Sequence, residues 1–123
     1  MIVFDSNAIL RYILQDNEEM ASLVEKQIQE TECFIPMEVM AEMVYVLSKV
    51  YKIPRESVEL ALAGVLELEN ISTTNCEVVL VGLKSFANTK LDFVDCLMSG
   101  YQTEGHEIYT FDKELRKYLQ RHT

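Results

Sequence analysis

The chain has 123 residues, a length that buries roughly two thirds of its unfolded surface in one core, so a single domain over 1–123 is expected. With 49% apolar residues, 4 Gly, 2 Pro and no low-complexity stretch, the composition excludes a long disordered arm. A net charge of −9 argues against broad electrostatic capture of nucleic acid, an objection partly relieved if several acids gather around divalent cations.

Ile2, Val3 and Phe4 are strand formers in a run too short for a helix, and the run stops at Asp5. The stretch Asn7–Leu14 reads as a short apolar helix. Asn17 to about Glu30 then repeats Met20, Leu23, Val24 and Ile28 at helical spacing, with Asn17 placed as its N-cap. Cys33 to Ile35 is a second short apolar run, closed by Pro36, and a helix from Pro36 to Val50 keeps Val39, Met43, Val46, Leu47 and Val50 on one side. Pro54 opens another helix over 55–69. The β-branched Ile71, Thr73 and Thr74 look extended, and Asn75 is suited to cap a helix that ends at Phe86. Asp92 opens a helix to about Thr103, His106 to Phe111 reads as a last strand, and Lys113–Gln120 is helical. Strands alternating with helices imply crossover units and a parallel sheet covered on both faces, with ligands bound beyond the carboxyl ends of the strands. Asp5 and Asp112 each fall at such an end.

No apolar run approaches the ~20 residues that span a bilayer, and the acid in MIVFDSN comes too early for a signal peptide, so no membrane association and a cytoplasmic location are expected. Cys33, Cys76 and Cys96 are odd in number, widely spaced and set among apolar residues, which predicts buried, reduced thiols. With only His106 and His122, the latter beside the C-terminus, a thiolate or imidazole zinc site is not indicated.

The acids carry the chemistry worth weighing. On the helix after Pro36, Glu42 lies at the margin of the apolar stripe beside Val39 and Val46, where a partly buried carboxylate calls for a cation. A metal would answer, as would a snorkelling arrangement with Lys49 or another base. Asp92 and Asp95 share one side of a helix, and two like charges so close raise each other's pKa unless a cation lies between them. Capping explains them too: Asp92 is a natural N-cap and Asp95 favours the positive end of the helix dipole. Asp112 is equally a candidate cap for the last helix. Asp5 follows three core residues, and the next base, Arg11, lies six positions on. Ser6 and Asn7 either cap the short helix or hydrogen-bond Asp5 and a metal-bound water.

Four segments in this order, IVFDSNAILRYIL, IPMEVMAEMVYVLSKVYKI, LDFVDCLM and YTFDKELRK, resemble PIN domains over essentially the whole chain, most closely the VapC-like toxins of toxin–antitoxin pairs. The resemblance implies a three-layer α/β/α sandwich with a mostly parallel central sheet, a homodimer, an antitoxin partner and ribonuclease activity. Carried over residue by residue, it implies metal-binding acids at Asp5, Glu42, Asp95 and Asp112, an accessory acid at Asp92, and supporting polar groups at Asn7 and Thr110. Such oxygen donors suit Mg²⁺ or Mn²⁺. The stretch after Asp95 departs from the small or aliphatic residues common there, with Cys96, Leu97, Met98, Ser99 and Gly100.

Lys113, Arg116, Lys117 and Arg121 form the one basic cluster of an acidic chain. They are placed to receive RNA phosphates, or simply to complement a helix C-terminus. Two other classes compete with a nuclease. One is a PIN-like interaction module that works through a protein partner, against which the retained acids count. The other is a phosphoaspartyl phosphatase, whose chemistry calls for a second Asp two positions after Asp5, where Asn7 stands.

Overall fold

The computed structural model describes residues 1–122. Three short strands form one sheet: β1 (Ile2–Val3), β2 (Cys33–Ile35) and β3 (Ile71–Thr73). Their order is β1-β2-β3 and both pairings are parallel, with Ile2 opposite Cys33 and Cys33 opposite Ile71. Parallel neighbours require crossovers, and helices supply them. Seven helices are present among the described residues: α1 (Ser6–Leu14), α2 (Glu18–Glu30), α3 (Met37–Tyr45), α4 (Arg55–Leu66), α5 (Cys76–Asn88), α6 (Phe93–Thr103) and α7 (Lys113–Arg121). The architecture is the expected α/β class, a parallel sheet with helices arranged as an α/β/α sandwich. None of these helices is long and apolar enough to cross a membrane.

The central strand is buried most deeply, with Cys33 and Ile35 fully enclosed. Around it pack Ile9, Met40, Met43, Leu47, Val58, Leu62 and Leu83, each wholly buried. The helix starts follow from local chemistry. Asn17 accepts from Met20 N at 3.0 Å, and Asn75 accepts from Val78 N at 3.3 Å, so both predicted caps hold. Pro36 and Pro54 sit immediately before α3 and α4. Helices α5 and α6 lie against each other at close quarters because Gly100 presents no side chain; a Cβ there would come within 2.7 Å of Val78 O.

Three expectations need correction. His106 to Phe111 is not a strand: the sheet ends at β1, and among the described residues no ladder joins this run to it. Its alternation is nonetheless present, with Ile108 and Thr110 half-buried and Tyr109 and Phe111 outward. The stripe predicted to reach Val50 fails at its end, because α3 passes into a π-helical turn over Val46–Val50, where Tyr51 N bonds Val46 O. The wider turn rotates the following residues, and Val50 faces solvent. Cys33 and Cys96 are buried free thiols as expected, but Cys76, on the outer first turn of α5, is exposed.

Candidate acidic site

The carboxyl ends of the parallel strands deliver the first acids. Asp5, just beyond β1, is the N-cap of α1, and its Oδ1 accepts from Ala8 N at 2.9 Å. Asp5 rather than Ser6 or Asn7 therefore caps this helix. Ser6 is left free to reach across to α3, where its hydroxyl donates to Glu42 Oε1. Asn7 is exposed in the first turn of α1, and its side chain forms no hydrogen bond among the described residues. Glu42 is exposed rather than partly buried, since the face of α3 turned to the core is Met40, Met43 and Val44. Lys49 does not pair with it; among the described residues the one ion pair is Arg11–Asp16, at 2.9 Å.

A second group of acids forms at the start of α6 and α7. Asp92 occupies the N-cap position of α6, yet its side chain makes no capping bond. Asp95 lies in the first turn. Partial burial pushes its carboxyl above the ordinary range, and the Asp112 and Asp92 carboxylates push it the same way. Those three acids are thus electrostatic neighbours. Asp112 caps α7, accepting from Leu115 N at 2.9 Å through Oδ1. Thr110 shapes the turn before it: Asp112 N donates to Thr110 Oγ1 at 3.1 Å, and Arg116 Nη2 donates to Thr110 O at 2.6 Å.

Helix α3 packs against both α1 and α6, which sets the Glu42 group and the Asp95 group on adjoining elements. They do not close on a single point. Among the described residues no three His, Cys, Asp or Glu side chains are grouped closely enough to hold a metal ion. A physical reason lies in the bonds just described: Asp5 and Asp112 each commit one oxygen to a helix cap, and uncompensated carboxylates repel. The donors are nonetheless right in kind, carboxylate oxygens that suit hard divalent cations.

One residue escaped the reading of the sequence. Arg55, first in α4, donates from Nη1 at 2.9 Å to each of three carbonyls, Phe86 O, Thr89 O and Leu91 O, and its guanidinium lies 3.9 Å over the Phe86 ring. It thereby ties down the connection that leads from α5 into Asp92. Burial pushes the Cys96 thiol up to about 11, against lowering by a Thr89 hydrogen bond and the Arg55 charge and with raising by Asp95 and Asp92. A hollow of about 340 Å³ beside the acids is lined by Tyr45, Lys49, Arg55, Phe93, Asp92 and Asp95. A faint signal for Arg55 was there: a cation at a helix N-terminus opposes the helix dipole and needs some other reason to be present. The remaining bases, Lys113, Lys117 and Arg121, project from α7 into solvent; Arg116 is exposed as well but committed to Thr110.

A family model described as PIN domain matches residues 2–119. No curated protein and no solved structure gives a significant match.

Proposed function

The chain belongs to the PIN domain family, whose members are generally nucleases, and from that premise we propose that it is a divalent-metal-dependent endoribonuclease. The observation that carries the reading is the grouping of Asp95 with Asp92 and Asp112, whose carboxylates add to partial burial in raising its affinity for a proton. Asp5, Glu42, Asp95 and Asp112 would hold Mg²⁺ or Mn²⁺, with Asp92 as the accessory acid. When bound, such an ion supplies Lewis acidity and an activated water. Asp5 offers its Oδ2, since Oδ1 is held by the helix cap. Ser6 orients Glu42, and Thr110 fixes the backbone from which Asp112 projects. Asn7, exposed in the first turn of α1, is positioned for a substrate or solvent contact. Lys113, Arg116, Lys117 and Arg121 receive RNA phosphates, contacts that position without specifying sequence.

Incubation of labelled RNA with Mn²⁺ or Mg²⁺ tests this directly. Cleavage is expected in either ion, none after chelation, and a loss of about a hundredfold or more in Asp95→Asn or Glu42→Gln with circular dichroism unchanged. Full activity in Asp95→Asn would refute the site, and a folded wild type without cleavage would favour an interaction module. The biological role we propose is that of a toxin, acting as a homodimer restrained by an antitoxin. The likeness of the four acid-bearing segments to VapC-like toxins supports it. Expression should arrest growth, and co-expression of a small neighbouring gene should restore it; unaffected growth would remove the toxin role while leaving the nuclease reading intact.

A further inference from the structure

Tyr109 and Phe111 are 88% and 80% exposed, the most open large apolar side chains of the described residues. Their rings meet edge to face, with centroids 5.6 Å apart and planes at 83°. A lone exposed aromatic is common, but two in contact at a candidate site make a surface that ligands use. The segment that carries them is held in place although it joins no sheet. His106 N bonds Tyr101 O at 3.1 Å, Ile108 and Thr110 are half-buried, and Thr110 is gripped by both Arg116 and Asp112. Phe111 precedes Asp112 directly, and the exposed Lys113, Arg116 and Lys117 follow within two turns.

We propose that Tyr109 and Phe111 form a stacking platform for unpaired bases of single-stranded RNA, beside the acids that cut it. This rests on the nuclease reading and assigns to it two residues that position the substrate. Every base has a face to stack, so such a platform tolerates sequence; a duplex hides those faces, so the platform selects single strands. Charge decides the occupant. A single strand stacked on the pair would lay its phosphates against the exposed Lys113, Arg116 and Lys117 that follow in α7. Glu107 and Glu114 flank the pair, so the grip falls on the nucleobases and the phosphates lean toward α7.

Chelator-treated protein, which cannot cut a metal-dependent substrate, is titrated into fluorescein-labelled oligoadenylate and into its duplex with oligouridylate, with anisotropy as the readout. Tyr109→Ala and Phe111→Ala should each weaken single-strand binding about tenfold. Tyr109→Phe, which keeps a ring, and Leu60→Ala, an exposed apolar residue on α4, should leave it unchanged. Equal affinity of the alanine variants and wild type, or duplex bound as tightly as single strand, overturns the platform. So does a loss of dimer in sedimentation with RNA affinity intact, which would assign this face to a second copy. Cleavage with Mn²⁺ is followed in parallel: retained cleavage with unaffected binding sinks the platform alone, while no binding and no cleavage by wild type sinks the nuclease reading as well.

Discussion

Asp95 is the acid whose surroundings most oppose its charge, through partial burial first and then through Asp112 and Asp92. Its folded pKa lies above the ordinary 3.8, so over the interval from 3.8 upward the folded chain keeps a proton that the unfolded chain has released. Stability from this group therefore falls as pH rises through that interval, and the loss is complete above the raised value. Asp95→Asn removes the penalty. The metal-free variant should melt a few degrees higher than wild type at neutral pH, and the two should converge in acid. Mn²⁺ should raise the wild-type melting temperature and move the variant less. A variant that melts lower than wild type at neutral pH would mean that the carboxylate serves α6 as a dipole partner. The sequence left Asp112 open between cap and ligand and offered Ser6 and Asn7 as caps of the first helix, and the structure shows Asp5 and Asp112 each capping with a single oxygen.

Among the elements, the connection from α5 to α6 matters most, because it carries Asp92 and Asp95 to the site. It is held by Arg55 from α4, one guanidinium nitrogen shared among three carbonyls. Two hydrogens serve three acceptors, so at least one is bifurcated. Arg55→Met preserves the stem over Phe86 but leaves those carbonyls without their donor. At this half-buried position the expected cost is about 2 kcal/mol in urea unfolding, with partial recovery in Arg55→Lys, which has no planar fork. A change within about 0.5 kcal/mol would mean that water replaces the guanidinium. The π-helical turn after α3 is the other element beyond the reach of periodicity. A 3.6-residue pattern extrapolates smoothly to Val50, whereas the added residue per turn changes which side meets the core.

For the whole molecule, an acidic surface and four bases on one helix set the ionic-strength response. At most Lys113, Arg116, Lys117 and Arg121 neutralise phosphates, which limits the logarithmic salt slope for single strands to about −3 and the loss between 50 and 200 mM salt to roughly 50-fold. Fluorescence anisotropy across that range checks it, and a steeper slope would place the RNA on another face. The architecture itself follows from apolar runs too short for helices alternating with helical periods, so the α/β class, the parallel order and most helix starts were legible from local pattern.

What the sequence determined alone was whatever depends on neighbours in the chain: a first strand that stops before Asp5, a second that stops at Ile35, and the caps at Asn17 and Asn75. Tertiary structure decided what depends on a distant partner. Segment 106–111 has the alternation of a strand but is paired to no strand of the sheet, and Glu42 finds its donor in Ser6 across two helices. Arg55 acquires its role only when α4 meets the end of α5. Hydrogen bonds between remote segments have no period to announce them, because their geometry exists only after the chain has closed on itself.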